Sequence, residues 1–160
     1  MKFASANSKG QRGMALLVSL VFLLLLTLIG LSSMQNATLQ EKMANSVTLR
    51  NQSFQNAEAA LRMGESAVQQ GTYTLAVCSG TTQCAPPAES ALITGAGFNA
   101  TSGVTWVAAG NGFYGVQNIG TTLNAVNVPS NTSATLYRVT AVAIVGNNVR
   151  SVVESIYAKY

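Results

Sequence analysis

Apolar residues follow three different rhythms along this chain. From Met14 to Leu31 they run almost without a break, MALLVSLVFLLLLTLIGL, eighteen residues without a charge. As a helix rising ~1.5 Å per residue, that stretch spans ~27 Å, close to the apolar thickness of a bilayer. Charge returns only at Glu41. A cleaved secretory signal is the competing reading. Its apolar run would be ~7–15 residues and would end at a small-residue cleavage site, which Gly30-Leu31-Ser32 matches poorly.

The second rhythm is helical. Val47, Phe54, Leu61 and Val68 recur every seven residues, and Met43, Ala57 and Gly64 lie four before Val47, Leu61 and Val68. That spacing predicts one apolar stripe on a helix. Glu41, Lys42, Arg50, Glu58, Arg62 and Glu65 fall between and form its polar face, with Glu58 and Arg62 at the i,i+4 spacing of a weak ion pair. No proline precedes Pro86, so nothing breaks the helix between the apolar run and Gly71. The pattern predicts one helix over 14–70, ~85 Å long, with a membrane span over 14–34.

The third rhythm is that of strands. Cys78 and Cys84 flank a short loop, and Pro86-Pro87 forbids helix. The 48 residues from Ser90 to Tyr137 carry no charge and are rich in Gly, Thr, Asn and Ser. Val104-Thr105-Trp106-Val107 and Phe113-Tyr114-Gly115-Val116 read as short strands between turns. The β-branched runs Leu136–Val145 and Val149–Tyr160 are joined by Gly146-Asn147-Asn148, residues that tolerate positive φ, and predict a hairpin. A three-residue loop there sets Arg138 and Glu154 diagonally across one face. The predicted fold class is therefore α+β: a long N-terminal helix, transmembrane in its first half, packed on a C-terminal antiparallel β-sheet over 71–160. The sheet is expected to cover the stripe from Met43 to Val68.

Charge changes the picture in one respect. The formal balance is +4, but Lys2, Lys9 and Arg12 precede the apolar run, leaving six basic and five acidic residues beyond it. A nucleic-acid reader needs a basic stripe to neutralise phosphates, so no nucleic-acid partner is expected. The chain has no histidine and no aspartate. That removes the imidazole base, the usual triad orienter and the common metal ligands; no enzyme activity, metal or cofactor is expected. Trp106 reads as core rather than as a binding platform. The four Asn-X-Ser/Thr tripeptides, at Asn36, Asn51, Asn99 and Asn131, are what an asparagine-rich chain generates by chance.

Residues 1–13, MKFASANSKGQRG, form a short basic segment ending in glycine directly before the apolar helix. This arrangement resembles the class III signal of type IV prepilins. The resemblance implies that residues 1–13 are a leader, that a prepilin peptidase cuts between Gly13 and Met14, and that Met14 becomes the methylated N-terminus. Most pilins carry glutamate at the fifth mature residue, where it is thought to neutralise a neighbour's N-terminal amine. Val18 stands there in this chain. A carboxylate inside a bilayer is costly unless paired, so a subunit lacking it need not dock on an earlier one. That departure, with Gly13–Phe22 and Gln55–Arg62, resembles the minor pilins of the PilX kind. The K-type pseudopilins of type II secretion share the departure but carry an inserted α-domain, for which 160 residues leave no room.

The resemblance implies a bacterial minor pilin that helps initiate or cap a type IV pilus. It would sit once through the inner membrane with its head in the periplasm, then pass to the pilus tip. Its partners would be other minor pilins, the major pilin, the prepilin peptidase and a tip adhesin. Two other readings remain: a K-like secretion pseudopilin, and an adhesive module whose uncharged 90–137 region meets a receptor. Cys78 and Cys84 are either free thiols or a disulfide; on the periplasmic side oxidation is expected. Closing so short a loop would contribute about 2.4 kcal/mol in the chain-entropy view.

Overall fold

The computed structural model describes residues 12–160, so the expected leader lies almost wholly outside the described residues. Helix α1 runs from Arg12 to Gln69, matching the predicted helix to within two residues at either end. The chain divides into two compact units, Met1–Asn45 and Ser46–Tyr160. The first, where described, is the N-terminal part of α1, and every residue for which burial is defined in it is exposed.

In the second unit the rest of α1 packs against a five-stranded antiparallel sheet in the order β1-β2-β3-β4-β5. The strands are β1 Gly97–Phe98, β2 Thr105–Ala109, β3 Gly112–Thr122, β4 Ala134–Val145 and β5 Val149–Lys159. Strands follow one another as hairpins, so no crossover is needed. The β4–β5 hairpin turns through Gly146 and Asn148 at φ 57° and 74°, positions that glycine and asparagine adopt at little cost. Its register pairs Thr140 with Glu154 and Arg138 with Ile156. Arg138 and Glu154 are thereby diagonal neighbours, and Arg138 Nε lies 3.2 Å from Glu154 Oε1. No Glu58–Arg62 ion pair forms among the described residues. An exposed i,i+4 pair is worth only a few tenths of a kcal/mol and does not hold two long side chains in place.

The helix face under the sheet differs from the expected stripe. Ser53, Ala57, Ala60, Gly64 and Val68 are buried, and Leu61 is partly so. Val47 and Phe54 remain 58% and 47% exposed, and Met43 is exposed as well. Two physical causes account for the correction. A strict seven-residue spacing drifts ~20° per repeat on a straight helix, whereas 53-57-60-64-68 follows the true helical period. The sheet also comes too close for large side chains. A Cβ on Gly64 would stand 2.6 Å from Val139 Cγ1 and 2.9 Å from Tyr114 Cδ2, and one on Gly112 would stand 2.7 Å from the Val142 carbonyl oxygen. Small residues set the approach, and Val68, Val116, Tyr137 and Val139 fill the space beyond it.

The opposite face of the sheet is covered too. The segment between Cys78 and Val104, with the short helix α2 at Gly80–Cys84 and a 3-10 turn at Ala88–Ala91, folds back over it. Val104, Trp106 and Val142 form a second small core there, with Ile93 and Phe113 against it. Trp106 is thus a core residue.

Candidate assembly surfaces

The described residues contain no cluster of three or more His, Cys, Asp or Glu placed to hold a metal. What they offer instead are surfaces. The first is the apolar stretch of α1. The helix holds an 18-residue window of mean hydropathy 2.9, none of it buried within the chain. Leucine-rich helix without a partner is stable only in an apolar medium or against other helices. Its polar side chains are satisfied locally: Ser19 Oγ donates to the Leu16 carbonyl at 2.8 Å and Thr27 Oγ1 to that of Leu24 at 2.8 Å. A hydroxyl bonded to its own helix avoids the cost of an unpaired polar group in lipid. Val18 lies within this stretch, exposed. Arg12, Gly13 and Met14 lie in the first turn of α1, and a Cβ added at Gly13 would meet nothing within 4 Å among the described residues. The first four N–H groups of a helix have no internal acceptor, so this turn opens easily.

The second surface is the flank of α1 in the head. Val47 and Phe54 project from it, outside the contact with the sheet. The polar face of the helix is partly engaged. Glu65, expected to be solvated, accepts a bond from Ser155 Oγ at 2.6 Å, and the buried Ser53 shares a 2.6 Å bond with Ser151.

The third surface is the covering segment, held by side chains that rise from the sheet. Cys78 and Cys84 are bonded to one another, their α-carbons 5.2 Å apart, and close the loop that carries α2. Gln117 Nε2 donates to the carbonyls of Gln83 and Ala85 at 2.6 and 3.0 Å, and Arg138 Nη1 to that of Cys84 at 2.7 Å. Arg150 Nη1 donates to Ser90 and Ile93 at 3.1 and 2.6 Å. The Glu89 carboxylate accepts from Trp106 Nε1 at 3.3 Å and from Ser102 Oγ. The few charges in the head therefore clamp backbone carbonyls or fill internal sites. Isolated arginines in otherwise apolar strands were the sequence signal for this covering segment, and sequence reasoning missed it. Near the end of α1, burial raises the Tyr73 hydroxyl above the ordinary tyrosine value of 10.0, with smaller contributions from Tyr114 and Tyr137.

Residues 12–62 match the sequence model of the family described as PilX N-terminal. That span is similar to the N-terminal segment of the PilX-type pilins. The match covers 51 of the 160 residues. The PilX-type segment covers the exposed apolar helix and the helix flank as far as Arg62; the sheet and its cover lie beyond it. No curated protein and no solved structure gives a significant match to the chain.

Proposed function

We propose that this chain helps to initiate or cap a type IV pilus. It does so as one member of a membrane-bound group of pilin-like subunits, through packing and without chemistry of its own. The observation that carries the reading is the apolar half of α1, unburied within the chain and belonging to a PilX-type segment. Leader removal between Gly13 and Met14 leaves that helix as the anchor in the inner membrane, with the head on the periplasmic side where Cys78–Cys84 is kept oxidised. Helices of other minor pilins, and later of the major pilin, pack against it. Ala15, Ser19 and Gly30 permit close approach where apolar surface alone gives no preference between lipid and protein.

Val18 supports a place at the leading end. A subunit that docks on an earlier one gains from a carboxylate at this height; one with no earlier neighbour would only bear its cost in the bilayer. The experiment is a count of surface pili in a deletion strain complemented with either version of the chain. Deletion should reduce pili strongly, native protein should restore them, and Val18→Glu should do no better than the native residue. More pili with Val18→Glu would mean an ordinary filament subunit, and the initiating role would then be dropped.

A further inference from the structure

On the side away from β4, strand β3 meets two different segments. β2 pairs with it from Ala109↔Gly112 to Trp106↔Gly115 and then departs. Further along, Val77 bridges to Asn118, and the Cys78 N–H donates to the Asn118 carbonyl at 2.8 Å. Between these contacts, beside Val116 and Gln117, the chain leaves a cleft. It consists of two adjoining cavities of about 170 and 120 Å³, which share Leu75, Gly103 and Val116 in their walls. Together they fall just short of the ~300–1,000 Å³ that drug-sized ligands occupy, so an occupant must be compact.

Both walls are held in place by bonds of their own. On one side Asn118 Nδ2 donates to the Leu75 carbonyl at 2.8 Å, and Ser79 Oγ donates to Gln83 Oε1 at 2.9 Å, which leaves the Gln83 Nε2 donors over. On the other side Asn99 Oδ1 accepts from the N–H groups of Thr101 and Ser102 at 2.9 and 3.2 Å, and the turn passes through Gly103 at φ 71°. A Cβ at Gly103 would stand 3.6 Å from Gln83 Cδ, so the two walls face each other across a gap that glycine keeps open. Besides Gln83 Nε2, the hydroxyls of Thr105, Tyr73 and Tyr114 line the cleft without a hydrogen-bond partner among the described residues. No charged side chain among those residues lines either cavity.

We propose that this cleft binds a neutral saccharide, with one ring against Tyr73 and Tyr114 and its hydroxyls bonded to Thr105, the two tyrosines and Gln83. The lining selects that class by exclusion. An ion of either sign would lose its water with no opposite charge to meet it. A purely apolar ligand would strand four polar groups. A peptide strand needs a run of main-chain partners, and only Val116 and Gln117 lie between the two occupied places on β3. A sugar ring offers an apolar face to tyrosine and hydroxyls that both donate and accept. Walls fixed before the ligand arrives lower the ordering cost of binding. This binding is additional to the assembly role proposed above and does not depend on it.

The test uses the full chain in a zwitterionic detergent, which carries no sugar of its own. Lactose, N-acetyllactosamine, maltose, cellobiose and chitobiose are titrated singly and binding is read by saturation-transfer NMR. Sialyllactose serves as the charged counterpart and an uncharged tetrapeptide as the competing class. At least one neutral disaccharide should bind, and sialyllactose should bind no better than lactose. Thr105→Val and Tyr114→Phe each remove one hydroxyl at nearly constant shape, and each should weaken binding about two- to tenfold. Ser130→Ala, whose hydroxyl lies in neither cavity, should bind as the native chain does. The fluorescence of Trp106 and a closed Cys78–Cys84 bond show that each variant is folded. No neutral disaccharide bound by the folded chain, a preference for sialyllactose, or binding of the tetrapeptide alone would each overturn the inference. So would an affinity that falls no further in the two hydroxyl variants than in Ser130→Ala.

Discussion

The two stretches of helix α1 follow opposite rules. In residues 14–34 large apolar side chains point in all directions and none is buried within the chain. In residues 46–69 four of the five buried positions are small, Ser53, Ala57, Ala60 and Gly64 beside Val68, while the large Phe54 faces outward. The first stretch is written for a medium, and hydrophobicity is what it must conserve. The second is written for one surface at a fixed distance, and there volume matters more than hydrophobicity. Each substitution below separates these two demands.

The largest effect is expected from a charge in the first stretch. Leu24→Lys places an ammonium in mid-span at a cost of about 2.5–3.5 kcal/mol on insertion scales. Membrane fractionation should show much less anchored protein, whereas Leu24→Ile should fractionate as native. Normal anchoring of the lysine variant would mean that this stretch does not sit in lipid.

Gly64 comes next. The methyl of Gly64→Ala would meet the Val139 side chain and the Tyr114 ring, so repacking should cost about 1–3 kcal/mol. Denaturant titration of the full chain in detergent, followed through its single tryptophan, measures it. Gly30→Ala, with nothing within 4 Å, should leave the head's midpoint unchanged. Equal midpoints for both variants would remove the distinction between the stretches.

A third contrast lies on one helix. Val68 is fully buried, and Val68→Ala should cost about 1–3 kcal/mol. Phe54→Ala removes a larger side chain yet should change head stability by less than about 0.5 kcal/mol, as surface substitutions do. The same titration checks both. A large loss at Phe54 would restore the heptad stripe as the buried face.

The smallest effect concerns Tyr73. Its folded-state value is raised by burial, so the folded chain binds its proton more tightly than the unfolded one. The resulting stability is fully present below the ordinary value of 10.0 and is lost as pH climbs through the folded value. Denaturant midpoints of the native chain should fall more steeply above pH 10 than those of Tyr73→Phe. Parallel curves would mean that Tyr73 is not buried in solution.

The local patterns were legible wherever one period dominated. The unbroken run after Met14, the β-branched strands around Gly146-Asn147-Asn148 and the diagonal Arg138–Glu154 pair all follow from residue spacing alone. The buried helix face was not, because alanine, serine and glycine carry little hydrophobic signal and only the closeness of the sheet reveals their role. The cover over the second sheet face was hidden for a related reason. Its anchors are long-range bonds from Gln117, Arg138 and Arg150 to backbone carbonyls, and no local period encodes them. The surfaces divide in the same way: the exposed apolar stretch of α1 could be read from composition, whereas the free edge of β5 depends on where its charged side chains turn.

The central claim is that α1 remains on the mature chain as its anchor after a short leader is removed. The intact mass of the protein isolated from membranes or pili tests this most directly. The account predicts loss of residues 1–13 and gain of one methyl group at Met14. A mass corresponding to cleavage near Ser32, which would discard the apolar stretch, would contradict it.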